Sequence, residues 1–272
     1  ILSELEKQIG PLQRQSEVAK EYWQAAYKTA INDNTLYKNA IKKIQDAGIY
    51  AIGRIVVFND VHYGKDHPED CISSSASSRL WPSAYSRGAW EYNVELAKEA
   101  VTQIGFNEIQ FDYVRFPEDA YRMSKSKNTD FKNKYNEEKA ETIQNFLMYA
   151  TDELHKKEVY LSVDVFGECS NTYVTAYGQY WPAISNIVDV VSSMPYTDHF
   201  GKQVDTWSNP YKTVNNWAKG ATERQKEIYN IVLKANKTIC KVAKAGMTLR
   251  QLQEICIDVL AEGCLKAKLI KE

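Results

Sequence analysis

The sequence predicts an α/β fold built around a parallel β-sheet. Two observations support it: four short apolar runs have the length of buried strands, and a helical pattern follows each of them. Strands of a parallel sheet are covered by helices on both faces and therefore appear as continuous apolar runs. With 272 residues, 44% of them hydrophobic, the chain is long enough for one barrel or two smaller domains.

The first elements follow from apolar spacing and from glycine and proline. Residues 1–27 have apolar positions at helical spacing, interrupted by a Gly-Pro pair, which predicts two short helices. An amphipathic helix over 36–47 ends at Gly48, and Ile49–Phe58 is the first strand. The polar stretch Asp60–Arg87 is too long for a simple connection, and we interpret it as a candidate lid.

The rest of the chain alternates helix and strand before it becomes helical. In order it contains a helix (89–104), the second strand (Glu108–Phe116), a charged stretch and a helix (122–157), the third strand (Val159–Phe166), a short helix (178–186) and the fourth strand (Ile187–Tyr196). From Glu223 the pattern is almost continuous helix. We therefore expect a helical segment over 1–27, the α/β portion over 28–222 and a second helical segment over 223–272.

Composition excludes several classes of function. The 34 basic and 35 acidic residues leave a net charge of -1, so no electrostatic feature predicts nucleic acid or an anionic membrane as a partner. No apolar run approaches the roughly 18 to 20 residues of a membrane span, and the first residues lack the apolar core of a signal peptide. The five cysteines include no CxxC pair, so neither a zinc site nor a disulfide framework is indicated.

Polar residues recur at the C-terminal ends of the predicted strands, where the loops of parallel α/β folds build their sites. These residues are Arg54 on the first strand, Asp112 and Arg115 on the second, Asp164 on the third with Glu168 just after it, and Tyr196 at the end of the fourth with His199 after it. If the second and third strands are neighbours, Asp112 and Asp164 have backbones about 4.8 Å apart. Their carboxyl groups then fall in the range of roughly 5 to 10 Å that glycosidases use.

Two close carboxylates raise one pKa and lower the other, which gives an acid and a base or nucleophile. The same spacing also fits a structural role, in which Asp112 forms a salt bridge with Arg54 or Arg115. His62 and His67 lie among acidic residues of the polar loop, but no strand or helix fixes their geometry, so no metal and no cofactor are expected.

Four segments, 48–58, 108–117, 161–167 and 188–196, resemble successive strands of the putative glycosyl hydrolase domain family, a bacterial family assigned to the glycosidase TIM barrels. The resemblance covers residues 28–222 and implies the third to sixth strands of an eight-stranded barrel. The fold class is then a partial (β/α)8 TIM-barrel-like parallel sheet with added helical N- and C-terminal segments. The resemblance also implies that Asp112 and Asp164 occupy site positions, and it suggests a cell-envelope or secreted location.

Two departures limit what the resemblance implies. In chitinase-type barrels the strand motif DxxDxDxE would place its acidic Glu at Val114, so the substrate-assisted chitinase mechanism is not expected. After Tyr196 the family usually has a proline, whereas this chain has Thr197.

The ends resemble other families over short stretches. Residues 5–22 resemble a coiled coil of structural-maintenance-of-chromosomes ATPases, and residues 227–237 and 260–270 resemble the start of the aminopeptidase P catalytic domain. The ATPase phosphate loop and the peptidase metal ligands are absent from these segments, so neither activity is inferred.

The sequence thus predicts a glycoside hydrolase acting on a polysaccharide. Asp112 would be the nucleophile or transition-state stabiliser, Asp164 the second carboxylate and Glu168 an alternative acid. The expected substrate-binding residues are Arg54, Trp81, Tyr113, Arg115, Tyr196 and His199. The alternatives are a non-catalytic carbohydrate-binding or scaffold protein and a metallopeptidase remnant. Because four parallel strands cannot close a barrel, self-association is a further possibility.

Overall fold

The computed structural model of the chain describes residues 34–171, 173–199 and 208–267. The helices are α1 (Asn34–Asp46), α2 (Val61–Asp66), α3 (Arg87–Glu99), α4 (Ala120–Lys125), α5 (Lys139–His155), α6 (Trp181–Ile184), α7 (Pro210–Val242) and α8 (Leu249–Lys266). The strands are β1 (Ile52–Val56), β2 (Ser73–Ser74), β3 (Glu108–Asp112), β4 (Thr129–Asp130), β5 (Tyr160–Phe166) and β6 (Val190–Met194). The helical segment predicted over 1–27 lies outside the described residues.

The main sheet contains four parallel strands in the order β1-β3-β5-β6. This spatial order is also the order along the chain, as in the wall of a (β/α) barrel, whereas a doubly wound sheet reverses direction at a switch point. The predicted α/β class with a partial barrel-like sheet is therefore confirmed. The short strands β2 and β4 form a separate antiparallel ribbon.

The core lies between the sheet and the helices on one of its faces. Ile109 and Phe111 of β3 and Val163 of β5 are fully buried there. Phe146 of α5 stacks on Phe111 with ring centroids 5.7 Å apart. Each such side chain stabilises the fold by about 1.5 to 3 kcal/mol when it leaves water.

The opposite face of the sheet is partly open. Ile52 of β1, Tyr160 of β5 and Val190 of β6 are 45%, 59% and 46% exposed. The prediction that the strands are buried on both faces is wrong at these positions. Four strands do not curl into a closed barrel, so residues that would face a barrel interior remain in contact with solvent.

Two predicted segments differ from the structure for local reasons. The strand β3 ends at Asp112 rather than Phe116, because Tyr113 adopts a φ of +56° and turns the chain out of the sheet. The candidate lid over 60–87 is anchored to the rest of the fold. Residues 81–86 are buried, and Ser83 Oγ donates a hydrogen bond of 2.5 Å to the carbonyl of Phe131. The segment is therefore part of the packed structure and does not form a free lid.

The C-terminal helices form a hairpin that contacts the segment directly after β5. Helix α7 passes through residue 223 without a break, and Trp217 Nε1 donates a hydrogen bond of 2.8 Å to the carbonyl of Gly167. Helix α8 packs on α7 after a turn in which Gly246 has a φ of +92°.

Candidate active site

A cavity of about 440 Å³ opens at the C-terminal ends of β3, β5 and β6. Its lining combines charged groups with aromatic rings, as carbohydrate and small-molecule sites commonly do. The lining residues are Arg54, Asp112, Tyr113, Arg115, Glu118, Asp164, Phe166, Ser192, Met194 and Tyr196.

Two aspartates from neighbouring strands share one guanidinium in this cavity. Arg54, which projects from β1, forms an ion pair with Asp112 through Nη2 and lies 3.7 Å from Asp164 Oδ2 through Nε. Both aspartates are buried, with 6% and 7% exposure, whereas about half of the Arg54 side chain is exposed. The residues predicted from strand ends are thus close together, and one cation partly neutralises both carboxylates.

The environment of Asp164 favours its protonated form. Burial is the largest cause that raises the pKa of Asp164, and the nearby charge of Asp112 raises it further. A hydrogen bond from Ser192 and the charge of Arg54 act in the opposite direction, but the net pKa lies above that of an ordinary aspartate. Asp164 therefore keeps its proton to a higher pH than an ordinary aspartate does.

Arg115 is buried within a cage of aromatic rings. Its guanidinium carbon lies 4.8 Å from the ring centroids of Tyr113 and Phe166 and 5.3 Å from that of Trp81. It donates hydrogen bonds of 2.6 Å to Glu118 and 3.0 Å to the carbonyl of Phe116. Of the two arginines considered as partners of Asp112, Arg54 forms the ion pair, and the carboxylate partner of Arg115 is Glu118.

Glu118 is a third carboxylate of the cavity, which the sequence interpretation missed. Burial alone would raise the pKa of Glu118, but hydrogen bonds and charge from Arg115, together with Arg79, hold it below the ordinary value. Arg79 Nη1 lies 3.3 Å from Glu118 Oε2. The signal for it was present, because Glu118 follows Arg115 by three residues, directly after Pro117.

Gln179 connects the two strands that carry the aspartates, a role that no pattern in the sequence indicates. The residue is 1% exposed, and its Oε1 accepts a hydrogen bond of 2.9 Å from the backbone N–H of Phe166. Its Nε2 donates to the carbonyls of Asp164 and Val114 at 3.3 and 3.4 Å. Gln179 lies in the loop before α6, and a prediction based on the residues at strand ends does not include it.

Trp81, predicted to stack on sugar, is only 1% exposed and packs edge-on against Tyr113. Because its ring is covered, Trp81 offers no free face to a sugar. Glu168, the alternative acid, accepts hydrogen bonds of 2.9 Å from the hydroxyls of Tyr173 and Tyr177 and is not part of the cavity lining.

Tyr196 lines the cavity and is half exposed. The exposed ring of His199 lies 5.3 Å from the Tyr196 ring and 5.8 Å from that of Phe166, beside the cavity.

Two further properties concern only the described part of the chain. Within 34–171, 173–199 and 208–267, no three or more His, Cys, Asp or Glu residues are grouped as metal ligands. In the same ranges no helix combines the length and hydropathy needed to cross a membrane.

Three solved structures are similar to parts of the chain. A hypothetical protein from Ruminiclostridium thermocellum is 36% identical over 47% of this chain and 65% of its own, with a TM-score of 0.40. Catalytic domain 2 of the Ostrinia furnacalis group II chitinase is 16% identical over 69% and 46%, with a TM-score of 0.42. Aspergillus fumigatus Ega3, solved with galactosamine, is 14% identical over 63% and 60%, with a TM-score of 0.41. The chain therefore spans less than two thirds of each of these proteins.

Two protein families match parts of the chain. No curated protein matches the chain. Residues 206–271 match Metallopeptidase family M24, a short match in the region that resembles aminopeptidase P. Residues 5–238 match the family described as "Putative glycosyl hydrolase domain", which extends the predicted coverage of 28–222 at both ends. The chain belongs to this glycosyl hydrolase domain family.

Proposed function

We propose that the chain carries the active site of a glycoside hydrolase that acts on a polysaccharide. The observation that carries this proposal is the pair Asp112 and Asp164, which meet at one guanidinium in an open cavity. Contacts to one guanidinium keep these carboxyl oxygens below the separation of about 9.5 Å that marks the upper limit in inverting glycosidases.

The two aspartates have environments that fit different roles. The ion pair with Arg54 stabilises negative charge on Asp112, which suits a nucleophile or a stabiliser of a cationic transition state. Burial and the charge of Asp112 raise the pKa of Asp164, which suits the acid that protonates the leaving oxygen. Two carboxyl groups with unlike environments are the basic requirement of glycoside hydrolysis.

The cavity also offers groups that fit a sugar. The rings of Tyr113, Phe166 and Tyr196 line it and can pack on the apolar face of a pyranose. Arg54 and Glu118 add exposed donors and acceptors for hydroxyl groups. We assign substrate contact to these five residues, with His199 beside them.

A carbohydrate-binding protein without catalysis is the second candidate. The partly open face of the sheet favours it, since a catalytic pair needs rigid support from the surrounding structure.

Parallel measurements of binding and hydrolysis separate the two candidates. A panel of soluble polysaccharides is tested with the wild type and Asp112→Asn, with Asp130→Asn as the control because Asp130 is exposed and pairs with Lys132. A hydrolase requires release of reducing ends by the wild type and the control and a loss of at least about 100-fold in Asp112→Asn. Binding without hydrolysis would support the second candidate, and unchanged hydrolysis in Asp112→Asn would refute the role of Asp112.

A further inference from the structure

We propose that Gln179 is a positioning residue that sets the spacing of Asp112 and Asp164. Its side-chain amide takes over the connection of β3 and β5 beyond the point where their ladder ends. The catalytic consequence rests on the proposed function, whereas the effect on the two carboxyl groups does not.

The ladder between β3 and β5 stops one residue short of the aspartates. Its last paired residues are Phe111 and Val163, and Tyr113, with a φ of +56°, then turns β3 out of the sheet. Asp112 is still paired with Val56 of β1 and Asp164 with Ser192 of β6, but beyond Phe111 and Val163 no ladder connects β3 directly to β5.

The Gln179 amide provides this connection through hydrogen bonds from Nε2 and to Oε1. Nε2 donates to the carbonyl of Val114, two residues after Asp112, and to the carbonyl of Asp164 itself. Oε1 accepts from the N–H of Phe166, two residues after Asp164. A buried amide that is satisfied in this way resists movement, because each lost bond leaves a buried polar group unpaired.

The loop behind Gln179 is itself held in place. Thr175 Oγ1 donates a hydrogen bond of 2.7 Å to the carbonyl of Gln179, and the N–H of Phe116 donates one of 2.8 Å to the carbonyl of Tyr177. Gly178 has a φ of +87°, a conformation that suits glycine, and a Cβ there would lie 3.0 Å from the carbonyl of Lys139. The amide therefore projects from a fixed support.

The test measures the titration of the Asp164 carboxyl group by carbon NMR in the wild type and in Gln179→Met. The charged and polar groups that face this carboxyl are Asp112, Arg54 and Ser192. Without the Gln179 amide, the ends of β3 and β5 should separate, admit water and weaken the repulsion between Asp112 and Asp164. The titration midpoint of the Asp164 carboxyl group should therefore move down towards that of an ordinary aspartate.

Thr142→Val is the matched control, because Thr142 is fully buried and donates to Glu137 and Ala84 away from the cavity. It should leave the midpoint of Asp164 unchanged. An unchanged midpoint in Gln179→Met, or an equal shift in Thr142→Val, would overturn the proposal.

A milder variant covers the case in which Gln179→Met does not fold. Thr175→Val removes the side-chain hydrogen bond to the Gln179 carbonyl and leaves the one from the Thr175 backbone N–H, so a smaller shift in the same direction is expected, and no shift contradicts the proposal. If the wild type hydrolyses a polysaccharide, Gln179→Met should lower kcat by up to about 100-fold with little change in KM. A shift of the midpoint without any hydrolysis by the wild type would refute the proposed function and leave the positioning role intact.

Discussion

At the scale of single residues, Arg54 controls the charge of the cavity. It contacts both aspartates, yet about half of its side chain is exposed to solvent and remains accessible. The favourable charge that it provides to Asp164 is one of the causes that oppose the effect of burial on the pKa. A single cation thus links the two carboxylates to each other and to any ligand in the cavity.

Arg54→Gln should raise the pKa of Asp164 further. The substitution removes a nearby positive charge that stabilises the ionised carboxylate, while the burial that raises the pKa remains. Carbon NMR of the Asp164 carboxyl group measures the midpoint directly. Arg79→Gln is the control, because Arg79 contacts only Glu118 among these carboxylates. A lower midpoint in Arg54→Gln would contradict the electrostatic role of Arg54.

Asp164→Asn should stabilise the protein at neutral pH. The folded-state pKa of Asp164 is raised, so its ionisation above that pKa costs stability, and asparagine avoids this cost. The gain should be about 1.4 kcal/mol for each unit by which folding raises the pKa, and it should disappear as the pH falls below the unfolded value. Denaturant unfolding across pH tests this, and a gain that grows in acid would have the wrong sign.

Sequence reasoning predicted some residues of the site and missed others for a clear reason. Asp112, Asp164 and Arg54 were predictable, because alternate positions of a strand share one face and parallel strands end at the same edge. Gln179 was not predictable, since a loop residue reaches the site through the path of the chain and no periodicity encodes it. Trp81 was expected to contact substrate because a long polar loop was expected to be exposed, whereas residues 81–86 of this loop are buried.

At the scale of elements, close contact between α7 and α8 depends on a glycine. A Cβ at Gly263 would lie 2.6 Å from Cγ2 of Ile231, a branched side chain that cannot move aside cheaply. Gly220, in the interior of α7, has no atom within 4 Å of its Cβ position. The two glycines therefore differ in packing although both are helical.

Gly263→Ala should destabilise the hairpin, whereas Gly220→Ala should stabilise it by up to about 1 kcal/mol. Alanine favours helix over glycine by that amount, and only at Gly263 does the clash with Ile231 outweigh the gain. Thermal unfolding followed by circular dichroism measures both variants. Equal stabilisation by both would show that the helices do not approach as closely as the structure indicates.

The elements were predictable in type and order, but their ends and contacts were not. The four strands follow from apolar runs. However, β3 is shorter than predicted because Tyr113 takes a left-handed backbone conformation, which a tyrosine at that position does not predict. Helix α7 begins at Pro210 and continues through the boundary placed at residue 223 to Val242.

At the scale of the whole molecule, the arrangement of strands is that of part of a barrel with one face open. The parallel order along the chain was predictable from repeated βα units, while the exposure of Ile52, Tyr160 and Val190 depends on how many strands the sheet contains. Self-association that completes the barrel stays a prediction, which sedimentation of the purified chain measures.

The most direct test of the paired carboxylates compares Asp112→Asn, Asp164→Asn and the double variant by their kcat/KM for a polysaccharide that the wild type hydrolyses. Each single substitution should lower the rate by at least about 100-fold. Because groups that act in one step are strongly non-additive, the double variant should be scarcely slower than the slower single variant. Losses that multiply, or single variants with the rate of the wild type, would contradict a shared catalytic site.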